Sequence, residues 1–378
     1  MLAVEVNFFS ERLPINKMNN SFQNTPMLSS KILSSLVLTL GLSLYSTPLL
    51  HAASPKVLPQ FHVQDQWNLG GKGGWGFLVL DTPANRLYIP RTDRVMVVDT
   101  GTGKLLGEVG GMKNIREIAL DDSGKFGYVT DPTDGSSGFV RVFDRSNFNV
   151  VASVPTGAVP NAIVFDPSSK SIFAFNSHSH TATMIDAATN QVTSTIPLAG
   201  RPGSAIGDGA GAIFVTLPAS GEIARIDVAA RKVSATWQLT PCTGPNGLAI
   251  DSIRHQLFTA CEDHKLVSVS TDTGEVVAIG DAPQNAGDID FDAQHNLLFV
   301  ADATGTLSIF RRDSLLKYFR VQQVKTQPGA RTMVVDHKVA KAYLVTSKFG
   351  QNTGAVSEEL QYRPTPIPGT FSVIIVGR

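Results

Sequence analysis

The chain has 378 residues, and its 32 Lys+Arg against 32 Asp+Glu leave a formal net charge of zero. Phosphate recognition normally carries a basic excess, so nucleic acid is not an expected partner. Charged residues are 17%, hydrophobic ones 42%, and there are 33 Gly and 21 Pro, which excludes a disordered chain or a helical bundle and reads as a loop-rich all-β protein.

In chain order, residues 1–26 are polar and unpatterned. Lys31 then precedes an apolar run over residues 32–45, and the small residues Ala52 and Ala53 follow it. A charge, a short greasy core and a small-residue exit make a secretory signal. The run of 14 residues is shorter than the roughly 20 a spanning helix needs. The run lies deep for a signal, so Met18 or Met27 is the expected true start. Residues 1–52 are thus expected to be an upstream extension plus signal, and residues 53–378 one exported domain, periplasmic or secreted, with no membrane span. Removing residues 1–52 takes away Glu5, Glu11, Arg12, Lys17 and Lys31 and leaves 29 basic against 30 acidic residues, so the mature chain stays near neutral.

Phe61, Val63, Trp67 and Leu69 alternate with polar residues, as in a strand with one buried face. The glycine-rich stretch from Gly70 to Gly74 lacks the Ser or Thr after Lys72 and the earlier glycine that a phosphate loop requires. After it come seven segments on one pattern of apolar strand, aspartate-led turn and apolar strand. The turn aspartates are Asp81, Asp121, Asp166, Asp208, Asp251, Asp292 and Asp336, at steps of 40, 45, 42, 43, 41 and 44 residues. Aspartate has a local cause there, because its carboxylate accepts from amides a residue or two onward and so favours a tight hairpin. A second anchor runs in phase, ending at Asp99, Asp144, Asp186 and Asp227 and weakening to Ser270 and Arg311. Each unit then holds four short strands, which is the blade of a β-propeller. The seventh unit has only three, the last over residues 371–376, so residues 61–69 are expected to complete it and close the ring, removing edges that would aggregate.

The repeats resemble those of the YVTN-type seven-bladed propellers of exported bacterial and archaeal proteins, and more narrowly the periplasmic YncE-like group. Phe299-Val300-Ala301-Asp302 and Ile185-Asp186-Ala187-Ala188-Thr189-Asn190 stand in the places of that family's YVAN and IDxxTxx patterns. The resemblance covers residues 61–378, with departures at Ser270 and Arg311. It implies an all-β, seven-bladed propeller of four-stranded antiparallel blades. It leaves function open, since that superfamily includes binding proteins and electron-transfer partners alike.

In a propeller the innermost strands line a central channel, and the loops entering them share a face with the loops between second and third strands. Those loops place Trp75, Arg116, Asn161, Asn246 and Arg331 near the mouth, and this is the expected ligand-binding set. Arginines among amides suit a carboxylate or another small anion, because a guanidinium offers paired donors in a fixed fork. The competing reading pairs both arginines with Glu117 or Asp288 across the channel, as a purely structural disc would. His178, His180 and His264 invite a metal, but two imidazoles without a placed carboxylate do not make a site, and neither metal nor cofactor is assigned. His178 or His264 with Glu262 would serve a lactonase-like hydrolase with an Arg/His/Glu site at the channel. No Cys-x-x-Cys-His and no Gly-x-Ser-x-Gly occurs, which excludes c-type haem and a nucleophile elbow. The leading expectation is a monomeric, non-catalytic module that binds a small anionic ligand or an envelope protein.

Residues 348–370 form an insertion in blade seven with Pro364, Pro366 and Pro368 spaced by two, expected to lie over the same face as a lid, a docking segment or a floppy excursion. Cys242 precedes the inner strand of blade five and Cys261 ends its next strand, so both should lie near that face. In an oxidising compartment this placement favours a disulfide, worth roughly 3 kcal/mol for a closed loop of about 20 residues on the chain-entropy account. Thiol counting on unreduced, unfolded protein should find no free thiol; finding two would refute the bridge.

Overall fold

A computed structural model describes residues 60–133, 135–314, 317–350 and 365–378. The proposed export segment and residues 351–364 of the insertion lie outside the described residues. The chain divides into two units, Met1–Lys56 and Val57–Arg378. The second is a ring of seven four-stranded antiparallel sheets, with no helix among the described residues. From blade one to blade seven the inner strands are Val79–Asp81, Ile118–Leu120, Pro160–Asp166, Ala205–Gly207, Pro245–Asp251, Ala286–Asp292 and Thr332–Asp336. In blades one to six the strands then run outward in chain order.

Blade seven takes its first three strands from the C-terminal part of the chain and its outermost from His62–Asn68, which pairs antiparallel with Ser372–Gly377 from His62↔Gly377 to Asn68↔Ser372. The amides of Leu69 and Gly70 both donate to the Phe371 carbonyl, at 2.9 and 3.0 Å. Phe61 carries the seal into blade six, where its ring meets Phe299 edge-on at 5.6 Å and its backbone is held from both sides by the Gln322 amide.

The hairpin logic appears in every blade. Each of the seven turn aspartates accepts at least one amide hydrogen bond from two to five residues onward, between 2.7 and 3.3 Å. At the second anchor Ser270 does the same with its hydroxyl, accepting from Asp272 and Thr273 at 3.3 Å. Blade six dispenses with that turn: Thr306–Ser314 and Lys317–Lys325 run on as one long hairpin with Ser314 paired to Lys317.

Adjacent blades pack through apolar faces. Phe258 of blade five lies 4.8 Å from Phe291 and 5.3 Å from Tyr318 of blade six, and rings of this size dominate the burial energy. Two buried arginines add polar clamps at one phase. Arg145 reaches from blade two to Asp81 of blade one, and Arg312 reaches from blade six to Asp251 of blade five. Removing one partner of such a buried pair leaves an uncompensated charge.

Nearest the channel, the blades are joined by backbone. The Phe77 amide donates to the Arg116 carbonyl at 3.0 Å, and the Asp288 amide donates to the Arg331 carbonyl at 2.8 Å. Gly76 and Gly287 precede these donors, and a Cβ on either would run into the carbonyl oxygen it faces. Gly76→Ala and Gly287→Ala should therefore each lower stability to denaturant by about 1–3 kcal/mol, the usual cost of overpacking. Gly110→Ala, where an added Cβ meets nothing within 4 Å, should be nearly neutral. Equal effects at all three positions would contradict this account of the blade junctions.

Candidate functional site

Counting back from the turn aspartates sorts the mouth residues into two rings. Arg116, Asn161, Asn246 and Arg331 each lie five residues before theirs, and Glu117, Ser204 and Asp288 lie four before theirs in blades two, four and six. Both rings lie where the chain enters the inner strands, and each supplies residues to the mouth.

At the mouth the structure holds a cavity of about 120 Å³ lined by Glu117, Asn161, Ser204, Asn246 and Asp288, with Phe77 and Leu248 as its larger apolar walls. It brings Asn161 and Asn246 together with two carboxyls and a hydroxyl. The signal for these was present in their shared phase on alternate blades. The same groups stitch neighbouring blades together. The Ile163 amide faces the Glu117 carboxyl, Ser204 Oγ accepts from the Gly247 amide at 3.2 Å, and Asp288 accepts from the Met333 amide at 3.1 Å.

Glu117 and Asp288 are half-buried, and both line this cavity. Burial pushes the Glu117 carboxyl well above the ordinary range, and the nearby Asp288 charge pushes the same way. Asp288 is pushed up to about 7, chiefly by burial, with the Met333 and Ile289 amides opposing and Asp290 adding to the rise. Among the described residues neither carboxyl has a cationic partner, so the cross-channel salt bridges of the purely structural reading do not form.

Arg116 and Arg331 stand exposed at the rim and do not line the cavity. Their carbonyls are spent on the blade junctions, while their guanidinium groups form no ion pair among the described residues. Trp75 is also outside the cavity, because it is used in packing: its ring lies 5.4 Å from Phe371 and 6.2 Å from Phe349, at the stem of the blade-seven insertion. That stem is ordered by the Phe349↔Pro366 bridge and by Gly350 and Ile367 amides donating across it.

Beside Trp75, Arg91 is fully buried and donates to the carbonyls of Gly70, Lys72, Gly73 and Gly74, with its guanidinium 3.7 Å above the Phe371 ring. Burial, then the neighbouring Arg94, lower its pKa to about 10. The glycine-rich stretch therefore turns its oxygens onto an internal cation, the reverse of a phosphate loop, which turns amides onto an anion.

The histidines serve turns. His180 and His264 take left-handed φ of 50° and 62°, and Gly221 and Gly305 take 68° and 96° at the corresponding turns of blades four and six. All four carbonyls accept the amide of a residue just beyond the outer strand: Leu198, Leu239, Ala282 and Thr326. No histidine side chain of this group bonds Glu262 among the described residues, and no group of three or more metal-binding side chains occurs there. Cys242 and Cys261 form a disulfide with Cα atoms 5.5 Å apart. Pro245 pairs with Cys261, so the bridge anchors the loop that delivers Asn246 to the cavity.

No family model matches the sequence, and no curated protein matches it. Among solved structures the likeness is broad, with 1761 matching chains. A Kuenenia stuttgartiensis hydrazine synthase aligns at a TM-score of 0.63 and 16% identity, over 74% of this chain and 94% of its own. The U3-55K structure aligns at a TM-score of 0.67 and 8% identity, over 83% of this chain and 98% of its own. At these identities the likeness carries the propeller fold and nothing narrower.

Proposed function

We propose that the chain is an exported, YVTN-type propeller of the YncE-like kind that acts as a binding module, taking a small anionic ligand, or an acidic group of an envelope protein, at the mouth of its channel. The observation that carries this reading is the pair of exposed, unpaired arginines, Arg116 and Arg331, at one phase on the two blades flanking blade one. Guanidinium groups left free at a channel mouth are suited to carboxylate or phosphate-like anions, and a propeller fold suits a recognition role. The disulfide fits an oxidising compartment, and the export assignment itself rests on the N-terminal sequence. Burial keeps Asp288 largely protonated below about pH 7, which lowers the negative charge an approaching anion meets.

Titrating citrate, sulfate and inorganic phosphate calorimetrically should reveal binding by at least one, and the double variant Arg116→Ala/Arg331→Ala should weaken it at least about tenfold, roughly 1.4 kcal/mol, with unchanged circular dichroism. Unchanged affinity removes the arginines from the reading.

The buried acid makes a second prediction. Asp288 binds its proton up to about pH 7 in the folded chain and up to about pH 3.9 when unfolded. Between these values the folded state holds more protons, so this group's contribution to stability is greatest below about pH 4 and is lost as pH rises towards 7. Asp288→Asn, which mimics the neutral acid, should raise the melting temperature relative to the parent at pH 8 and leave it nearly unchanged at pH 4. A uniform shift at both pH values would show that the carboxyl does not titrate in this way.

A further inference from the structure

The cavity below the arginines has a chemistry of its own. Five polar side chains converge on it, namely Glu117, Asp288, Asn161, Asn246 and Ser204, against the apolar Phe77 and Leu248. Each carboxyl gives part of its accepting capacity to a neighbouring blade's amide. A carboxylate has about four acceptor sites, so each keeps acceptor capacity beyond these amide bonds. Two like-charged groups in one enclosed space are stable only when they hold protons or when a cation joins them, and none of the described residues supplies that cation.

We propose that the cavity takes the ammonium group of a small zwitterion of the amino-acid type, held between Glu117 and Asp288, with the ligand's carboxylate left at the mouth for Arg116 and Arg331. The zwitterion rests on the anion reading above; the ammonium pocket stands without it. An ammonium carries three donors, which match two carboxylates and one carboxamide or hydroxyl oxygen from Asn161, Asn246 or Ser204. A divalent metal is a poorer occupant, because the described residues bring no three metal-binding side chains together. The cavity of about 120 Å³ has room for an amine with a few carbons. Phe77 and Leu248 offer those carbons an apolar wall.

The test is calorimetric titration of the purified protein with glycine, L-alanine and L-serine, each paired with its N-acetyl form, which lacks the ammonium, and with its decarboxylated amine, which lacks the carboxylate. At least one amino acid should bind in the millimolar range or tighter, its N-acetyl form at least about tenfold more weakly. Glu117→Gln and Asp288→Asn each keep an oxygen for the Ile163 or Met333 amide, so the fold should survive. Each should weaken the amino acid and its amine at least about tenfold. Arg116→Ala/Arg331→Ala should weaken the amino acid but leave the amine unchanged. If that double variant leaves the amino acid untouched while the acid variants abolish binding, the rim reading fails and the ammonium pocket stands. Binding by none of the three amino acids, equal binding of the N-acetyl form, or full affinity in both acid variants overturns the proposal.

Discussion

The pairing of His62–Asn68 with Ser372–Gly377 is the constraint on which the rest of the molecule leans. Without it Ser372–Gly377 would be an open strand edge with a row of unmet amides and carbonyls, and nothing would tie the two ends of the chain together. Lending blade seven a strand from the far end of the chain turns an open stack into a ring. Only in a ring do the inner strands converge closely enough for Glu117 of blade two to feel the charge of Asp288 of blade six. The cavity is therefore a property of closure, and no single blade contains it.

The mouth also shows one set of residues answering two demands. The carbonyls of Arg116 and Arg331 and the side chains of Glu117, Ser204 and Asp288 join neighbouring blades, yet the remaining atoms of these residues are what a ligand would meet. Buried polar groups with such joint duties rigidify the place where they sit. A binding surface built this way is organised before any ligand arrives, which spares the ligand the cost of ordering it.

The architecture was legible in the sequence because its signals are local. The turn aspartates bind amides a few residues away, so their spacing exposes blade number and phase without knowledge of any long-range contact. Even the departure at Ser270 kept the turn, since a hydroxyl accepts where a carboxylate would. The site was half legible. Asn161 and Asn246 were assigned to the mouth and line the cavity, whereas Trp75, Arg116 and Arg331 stand apart from it. Knowing that a residue lies in a mouth loop does not say which way it faces: Arg116 stands exposed while its neighbour Glu117 lines the cavity. His180 and His264 place chemistry-bearing side chains at positions that take a left-handed backbone, and blades four and six fill those positions with glycine.

The origin of the closing strand carries a consequence for how the protein is made. Residues 62–68 leave the ribosome first, and their partners, residues 372–377, come more than three hundred positions later. At synthesis rates of about 5–20 residues per second, the early segment waits on the order of 15–60 s with nothing to pair with. During that interval the nascent chain is a growing row of wedges with a sticky margin at each end, dependent on whatever shields it. Circular permutants that move the chain break to the gap between two neighbouring blades would remove the wait while preserving the ring.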